Sequence, residues 1–243
     1  MNKDLFGNKI KFIEEEPIKV NIYADESMNR KDENNCNWHY ICIIVERLDN
    51  PILQDIIDER FCGNFNQDSQ YYSKNNKTIH WTDISSADEK NICKRWFEYI
   101  LSPDKSGKKF YSYILGLNDS CLQIENFDQN DDFNSKYNRF FRSVILYALK
   151  TFFGNKKIIV ENIYHEKGQQ EHNKYFPWHC IYKIKEQNEN IIFKCNQITF
   201  LSKDHEINEY SNLIQLCDCV LGVTTSIIHS IQKSNKSKYK EEL

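Results

Sequence analysis

Two adjacent carboxylates, Asp25 and Glu26, follow an apolar run in the stretch IYADESMN (22–29). Alternation of side-chain character from Lys19 to Asp25 predicts a β-strand that ends at these acids. A carboxylate at the edge of packed structure is costly unless it is paired, protonated or bound to a metal ion. The position of the two acids therefore indicates either an ordinary turn or cap, or a site for acid chemistry.

Two more acids lie where apolar structure gives way to polar residues. Glu161 follows the β-branched run 158–160, which predicts a central strand, and Asp218 lies in the predicted last helix within LIQLCDCVLG (213–222). At 100° per residue, Asp218 falls on the shoulder of the apolar face of that helix. Gly222, one turn later, leaves room for another backbone. Taken singly, each acid also has an ordinary structural explanation.

Acids gathered from strand ends and a helix would suit phosphate chemistry. Hard divalent cations such as Mg²⁺ prefer oxygen ligands, and they use one or two carboxylates together with substrate phosphates. Two such ions about 3.5–4 Å apart can stabilise both the attacking and the leaving oxygen of a phosphodiester. Convergence of these acids would therefore predict a metal-dependent phosphodiesterase.

The elements that must position the acids follow from hydrophobic periodicity. A hairpin of two strands comes first, and strands and helices then alternate, which predicts an α/β protein with a mixed five-stranded sheet and helices on its faces. Ser86 and Glu89 form the pattern of a capping box before one of the helices. The predicted strands are 19–25, 38–46, 108–117, 156–164 and 190–201, and the other predicted helices are 52–61, 131–153, 168–186 and 208–232.

Composition bounds the class of protein. The 243 residues are 40% hydrophobic, the net charge is −3, and nine cysteines are scattered without a C-x-x-C pair. These values predict one domain over 1–243 with a core at about 18–232 and reduced thiols in the cytoplasm. The N-terminus lacks the apolar run of a signal peptide, and no membrane span is expected. The polar stretch 62–77 predicts a mobile loop, and the Lys-rich end 233–243 predicts a disordered tail.

Several segments resemble a known family. IYADESMN resembles the opening motif I-Y-x-D-E-S-G of the domain-of-unknown-function 3800 family, and LIQLCDCVLG resembles its closing motif L-Q-L-A-D-L-I-A-G. FLSK (200–203) and IHWTDI (79–84) are similar to the family's F-x-D-S-K and E-I-H-A segments. The resemblance covers about residues 18–230.

The resemblance implies a ribonuclease H-like fold with helices on both faces of the sheet and a helical insertion between strands two and three. It also implies a metal-dependent nuclease of bacterial defence, with nucleic acid as substrate and a protein of the defence system as partner. Asp25, Glu161 and Asp218 would be ligands of Mg²⁺ or Mn²⁺. Glu26 would be a further ligand or an orienting residue, and His80 would shuttle a proton or contact a phosphate.

The chain also departs from the family pattern. Met28 replaces a glycine, Glu161 stands where aspartate is commoner, and Thr78 occupies a position that often carries glutamate. An inactive ribonuclease H-like binding or regulatory module is therefore the alternative. His80 has its own structural alternative, because IHWTDI also suits a segment that enters a helix.

Overall fold

The computed structural model describes residues 16–102, 109–122, 133–173, 176–229, 240 and 243. Within these ranges the chain forms a mixed sheet with helices, which confirms the predicted α/β class. The strands are β1 Ile18–Lys31, β2 Asn37–Arg47, β3 Tyr111–Asn118, β4 Ile158–Glu166, β5 Ile191–Phe193 and β6 Thr199–Leu201. The helices are α1 Leu53–Phe61, α2 Gln70–Asn75, α3 Ala87–Leu101, α4 Phe133–Phe153, α5 Phe176–Gln187 and α6 Ser211–Ile228.

The sheet has the order β3-β2-β1-β4-β5. β6 pairs with the same edge of β4 as β5 does, nearer the carboxyl end of β4. β1 and β2 form the predicted antiparallel hairpin, whereas β1 and β4 are parallel neighbours at the centre. Helices α1, α2 and α3 lie between β2 and β3 in the chain. The carboxyl ends of β1 and β4 therefore reach the same edge of the sheet.

The predicted fifth strand is divided into β5 and β6. Val20 pairs with Val160 and Asn21 with Asn162, so Glu161 is one extra residue in β4. On the other edge of β4, pairing with β5 stops at Val160 and pairing with β6 resumes at Tyr164. A bulge interrupts the hydrogen-bonded ladder locally. The bulge at Glu161 therefore explains why the structure has two short strands, β5 and β6, where the sequence predicted one.

Both faces of the sheet are covered by helices. Val20, Ile22 and Ala24 pack with apolar residues of α4 and α5. Tyr23 points the other way and packs with α1, α3 and α6. The predicted alternation of β1 is thus confirmed, and its central residues are buried on both sides.

Two predictions about polar segments have different outcomes. The stretch 62–77 contains helix α2 and is not wholly a loop, because the Ser69 side chain caps the helix by accepting from the Tyr72 N–H at 3.0 Å. The Tyr72 ring also stacks on Phe61 at 4.8 Å. In the tail 233–243, all residues except Lys240 and Leu243 lie outside the described residues.

Helix α6 is the most apolar helix that the structure describes in full. By length and composition it could span a membrane, but 67% of it is buried inside the protein. Such burial is typical of the core helix of a soluble protein. α6 packs against β1 and β2 and carries Asp218 to the edge of the sheet where β1 and β4 part.

Candidate functional site

Asp25 lies where the two central strands separate. β1 continues to Lys31, so the expected strand end at Asp25 is wrong, but pairing with β4 stops at Ala24 and His165. Asp25 is therefore the first residue of β1 that no longer pairs with β4, and it is 1% exposed. The crevice beyond the carboxyl ends of parallel strands is the usual ligand site of open α/β sheets.

Three carboxylates surround one buried ammonium group at this crevice. The Nζ atom of Lys203 lies 3.0 Å from Asp218 Oδ2, 3.1 Å from Glu166 Oε1 and 3.4 Å from Asp25 Oδ2. Burial alone would lower the pKa of Lys203, but the three carboxylates outweigh burial and raise the pKa above its ordinary value. The lysine is therefore charged at neutral pH, and it joins β1, β4 and α6 at one point.

The segment before α3 closes the site next to Asp218. The Trp81 backbone N–H donates to Asp218 Oδ2 at 2.7 Å, and His80 Nδ1 lies 3.6 Å from the same oxygen. A Cβ atom on Gly222 would lie 2.0 Å from Trp81 Cγ. Gly222 therefore admits a close neighbour as expected, although the neighbour is an indole ring and not a backbone.

Glu26 is held by a buried histidine that the sequence did not single out as functional. His165 Nε2 lies 3.1 Å from Glu26 Oε2 and 2.6 Å from the Tyr137 hydroxyl, which also donates to Glu26 Oε2 at 3.3 Å. His165 Nδ1 donates to the Glu166 carbonyl at 2.7 Å. Burial lowers the pKa of His165, but Glu26 together with the carbonyl and carboxylate of Glu166 outweighs burial and raises it. These contacts fix the orientation of Glu26 beside Asp25.

Glu161, the expected acid of strand four, is not part of this cluster. Its Oε1 atom pairs with Lys194 Nζ at 2.9 Å. β4 does not end at Glu161 but continues to Glu166, because the residues in between stay paired with β1. Five residues of strand separate the two acids by roughly 16 Å. Glu166 is therefore the β4 acid at the site, and the choice of Glu161 is corrected.

Lys203 and Glu166 are two charged residues of the site that sequence reasoning missed. Lys203 lies in the FLSK segment, whose similarity to the family's F-x-D-S-K segment is the sequence signal for this lysine. Glu166 could have been found only by extending the strand through NIYHE (162–166). Of the residues expected from the sequence, the structure brings Asp25, Glu26, Asp218 and His80 to one cavity.

A side chain of α6 holds both segments that flank the acids. Gln215 Nε2 donates to the Lys203 carbonyl at 2.6 Å, and Gln215 Oε1 accepts from the Ile79 N–H at 2.8 Å. The same oxygen accepts from the Arg60 guanidinium at 2.6 Å. Because Gln215 is fully buried, it fixes Lys203 and the His80 segment relative to Asp218 on the same helix.

The carboxylates and Lys203 line a cavity of about 210 Å³. Burial raises the pKa of Asp25 well above its ordinary value; Lys203 opposes this shift, and Asp218 and Glu166 add to it. Asp25 Oδ2 is buried and makes no hydrogen bond with the described residues, and it faces the Lys203 ammonium at 3.4 Å. The carboxylates offer only oxygen atoms as ligands, and such ligands suit a hard divalent cation. Among the described side chains, however, no three His, Cys, Asp or Glu groups form a ready metal cluster, and the Lys203 ammonium lies among the acids.

No protein-family model matches the chain, and no curated protein matches it significantly. The similarity of its motifs to the domain-of-unknown-function 3800 family therefore remains an expectation. The function has to be argued from the acids, the lysine and the cavity themselves.

Proposed function

We propose that the protein is a metal-dependent nuclease that hydrolyses phosphodiester bonds of nucleic acid at the Lys203 cavity. The observation that carries the proposal is the convergence of Asp25, Glu166 and Asp218 on Lys203, from three distant parts of the chain. Three acids and one charged lysine in a recessed cavity are expensive as structural groups and useful for phosphate chemistry. The proposal includes a ribonuclease H-like arrangement in which the helices between β2 and β3 form an insertion.

The acids of the cavity would hold Mg²⁺ or Mn²⁺. Asp25, Glu166 and Asp218 are the proposed ligands, and Glu161 no longer belongs to the set. Asp25 Oδ2 supports this choice because it is a buried carboxylate oxygen that makes no hydrogen bond in the described part of the chain and faces Lys203 Nζ at 3.4 Å. When bound, such an ion activates a water molecule and neutralises charge on the scissile phosphate.

The remaining side chains have roles that follow from their positions. The Lys203 ammonium supplies a fixed positive charge for an incoming phosphate. His80 is partly exposed at the cavity and its Nδ1 lies near Asp218, so it can pass a proton to a leaving oxygen. Glu26, held by His165, orients groups beside Asp25. None of these roles requires Glu161.

Incubation of purified protein with labelled single-stranded RNA and DNA, with Mg²⁺ or Mn²⁺, tests the proposal. Asp25→Asn, Glu166→Gln and Asp218→Asn should each lower the cleavage rate by about 10²-fold or more, because each removes a charge at the reacting phosphate. Glu161→Gln is the matched control on the same strand, and it should cleave at the wild-type rate.

Two results would contradict this assignment. Equal cleavage by the wild type and Asp25→Asn would locate the activity elsewhere or in a contaminant. An equal loss in Glu161→Gln and Glu166→Gln would show that the catalytic acids are not those of the cavity. Melting curves of each variant separate a lost activity from a lost fold.

A non-catalytic binding module is the second candidate function. The observation that favours it is Lys203, whose charge already partly neutralises the acids without any metal ion. Calorimetric titration with Mn²⁺ distinguishes the two candidates, since no heat of binding at millimolar metal would support the module. A cytoplasmic location and a partner in bacterial defence belong to the nuclease proposal. They predict that expression arrests growth and that Asp25→Asn relieves the arrest.

A further inference from the structure

A bulge in β1 turns an arginine toward the acidic cavity. Ser27 pairs with Tyr40, but Arg30, three residues later, pairs with Trp38, which is only two residues away along β2. One extra residue of β1 therefore reverses the alternation and places Arg30 on the face of the sheet that carries Asp25. Bulges commonly re-aim a side chain next to a functional site. Arg30 accordingly lines the same cavity as the three acids.

The guanidinium group of Arg30 is oriented but not saturated. Its Nε atom donates to Ser27 Oγ at 2.8 Å, which fixes the direction of the planar group. Neither terminal nitrogen has a hydrogen bond or an ion pair with the residues that the structure describes. In the same cavity Lys203 contacts the three acids, and Arg30 does not. The free edge of Arg30 is thus available for an anion.

A second cation, Lys240, lies beside two residues that line the cavity together with Arg30. The Lys240 ammonium donates to the Thr82 carbonyl at 2.7 Å and lies 5.8 Å from the centre of the Trp81 ring. Burial lowers the pKa of Lys240, and Arg30 is among the charges that affect it. Two neighbouring positive groups repel each other, and an anion bound between them would relieve this repulsion.

We propose that Arg30 binds a phosphate group of a single-stranded nucleic acid and sets the path of the strand into the cavity. The proposal rests on the nuclease function for the identity of its ligand. A guanidinium edge with two free nitrogens matches two oxygens of one phosphate. A single strand is favoured over a duplex because Asp25 and Lys203 are recessed, 1% and 8% exposed, and a flexible backbone can reach them.

Fluorescence anisotropy with a labelled ten-nucleotide strand tests the proposal. The Asp25→Asn background prevents cleavage from depleting the strand, and the titration is repeated from 50 to 200 mM salt. Arg30→Ala should weaken binding about tenfold and reduce the slope of log K against log salt by about 0.7, the value for one lost contact to a single strand. Arg30→Lys should bind with intermediate affinity, because an ammonium group keeps the positive charge but cannot donate two parallel hydrogen bonds to one phosphate. Arg47→Ala, which removes a partly exposed arginine paired with Asp49, is the control and should match the parent.

The outcomes separate this proposal from the nuclease assignment. Unchanged affinity and salt slope in both Arg30 variants would overturn it, whatever the cleavage assay shows, and so would an absence of strand binding by the parent. Tighter binding of a ten-base-pair duplex than of the strand would overturn the choice of a single strand. If the parent binds but the wild type does not cleave, the nuclease proposal fails while the role of Arg30 stands. Should Arg30→Ala fail to fold, Arg30→Lys decides.

Discussion

Two buried cations, Lys203 and Arg60, have opposite surroundings in this protein. Both are almost inaccessible, at 8% and 0% exposed. Lys203 lies among three carboxylates beside a cavity, whereas Arg60 makes no ion pair with any residue that the structure describes. The two side chains are connected through Gln215, which hydrogen-bonds to the Arg60 guanidinium and to the Lys203 carbonyl.

Arg60 is surrounded by neutral acceptors. Its nitrogens donate to the side chains of Asn212 and Gln215 and to two backbone carbonyls, and the group lies 4.9 Å from the centre of the Trp96 ring. Burial lowers the pKa of Arg60 to about 9. These hydrogen bonds satisfy four of its five N–H groups but provide no opposite charge. Arg60 therefore joins α1, the chain after α2, and α6 as a structural group.

The difference indicates which buried charge is functional. A structural cation needs only enough acceptors, and Arg60 has them. Around Lys203 the acids outnumber the lysine, and one oxygen of Asp25 makes no hydrogen bond with the described residues. An excess of negative charge beside a cavity is useful only if a cation or a substrate compensates it, so the Lys203 cluster is the candidate site.

Loss of Lys203 should have the largest effect on stability. Lys203→Met leaves three carboxylates at a buried point without their cation, and we expect the free energy of unfolding to fall by about 3–5 kcal/mol without metal. Millimolar Mg²⁺ should restore part of this loss, since an ion that binds only the folded state stabilises it. Urea unfolding at pH 7.5, with and without Mg²⁺, measures both quantities. A loss below about 1 kcal/mol would show that the acids do not depend on the lysine.

Loss of Arg60 should be the next largest effect, and Mg²⁺ should not change it. Arg60→Met leaves neutral acceptors unsatisfied, so we expect a loss of about 2–4 kcal/mol in urea unfolding. Arg60→Lys should recover only part of this loss, because an ammonium group cannot reach all the oxygens that accept from the Arg60 guanidinium. Recovery by Mg²⁺ similar to that of Lys203→Met would remove the distinction between the two cations.

Lowering the pH should reduce the free energy of unfolding through His205, whose pKa the charge of Arg60 helps to lower. Burial and the charge of Arg60 lower the pKa of His205 to about 4 in the folded state. Between this value and the ordinary pKa of 6.5, the unfolded chain therefore binds more protons than the folded chain. The free energy of unfolding consequently decreases as the pH is lowered through this range. We expect a loss of about 1–2 kcal/mol between pH 7.5 and 5.

His205→Gln provides the control for this pH dependence. Glutamine keeps a donor for Asn76, which lies 2.6 Å from His205 Nε2, but does not titrate. The wild type should therefore lose more stability on acidification than the variant does, as measured by urea unfolding at both pH values. Parallel curves for the two proteins would show that His205 has the same pKa in the folded and the unfolded state.

Local patterns in the sequence predicted the elements well where neighbours along the chain decide them. The hairpin of β1 and β2, the capping box at Ser86 and the helix at 131–153 depend on alternation, a cap residue or helical spacing. Each of these signals is contained in a few consecutive residues. The sequence predicted the stretch 62–77 less well, because helix α2 is stabilised there by stacking of Tyr72 on the distant Phe61.

The site was predictable only in part. Asp25 and Asp218 stood out because both interrupt apolar structure, and they do meet at one cavity. Glu161 stood out for the same reason, but it is the bulged residue of β4 and pairs with Lys194 near the surface. An apolar run followed by an acid describes a strand end and a bulge equally well, so the pattern could not distinguish them.

The sequence by itself determined the α/β class, the two-faced burial of β1, and the acids of the first strand and the last helix, because side-chain periodicity encodes these features locally. Only the tertiary structure decided that β4 continues to Glu166, that Lys203 lies among the acids, and that Arg30 turns toward them. The physical reason is pairing between strands. The register of β4 depends on β1, more than a hundred residues away, and the bulge at Arg30 depends on its pairing with β2. One extra residue in either strand changes the face on which a side chain lies.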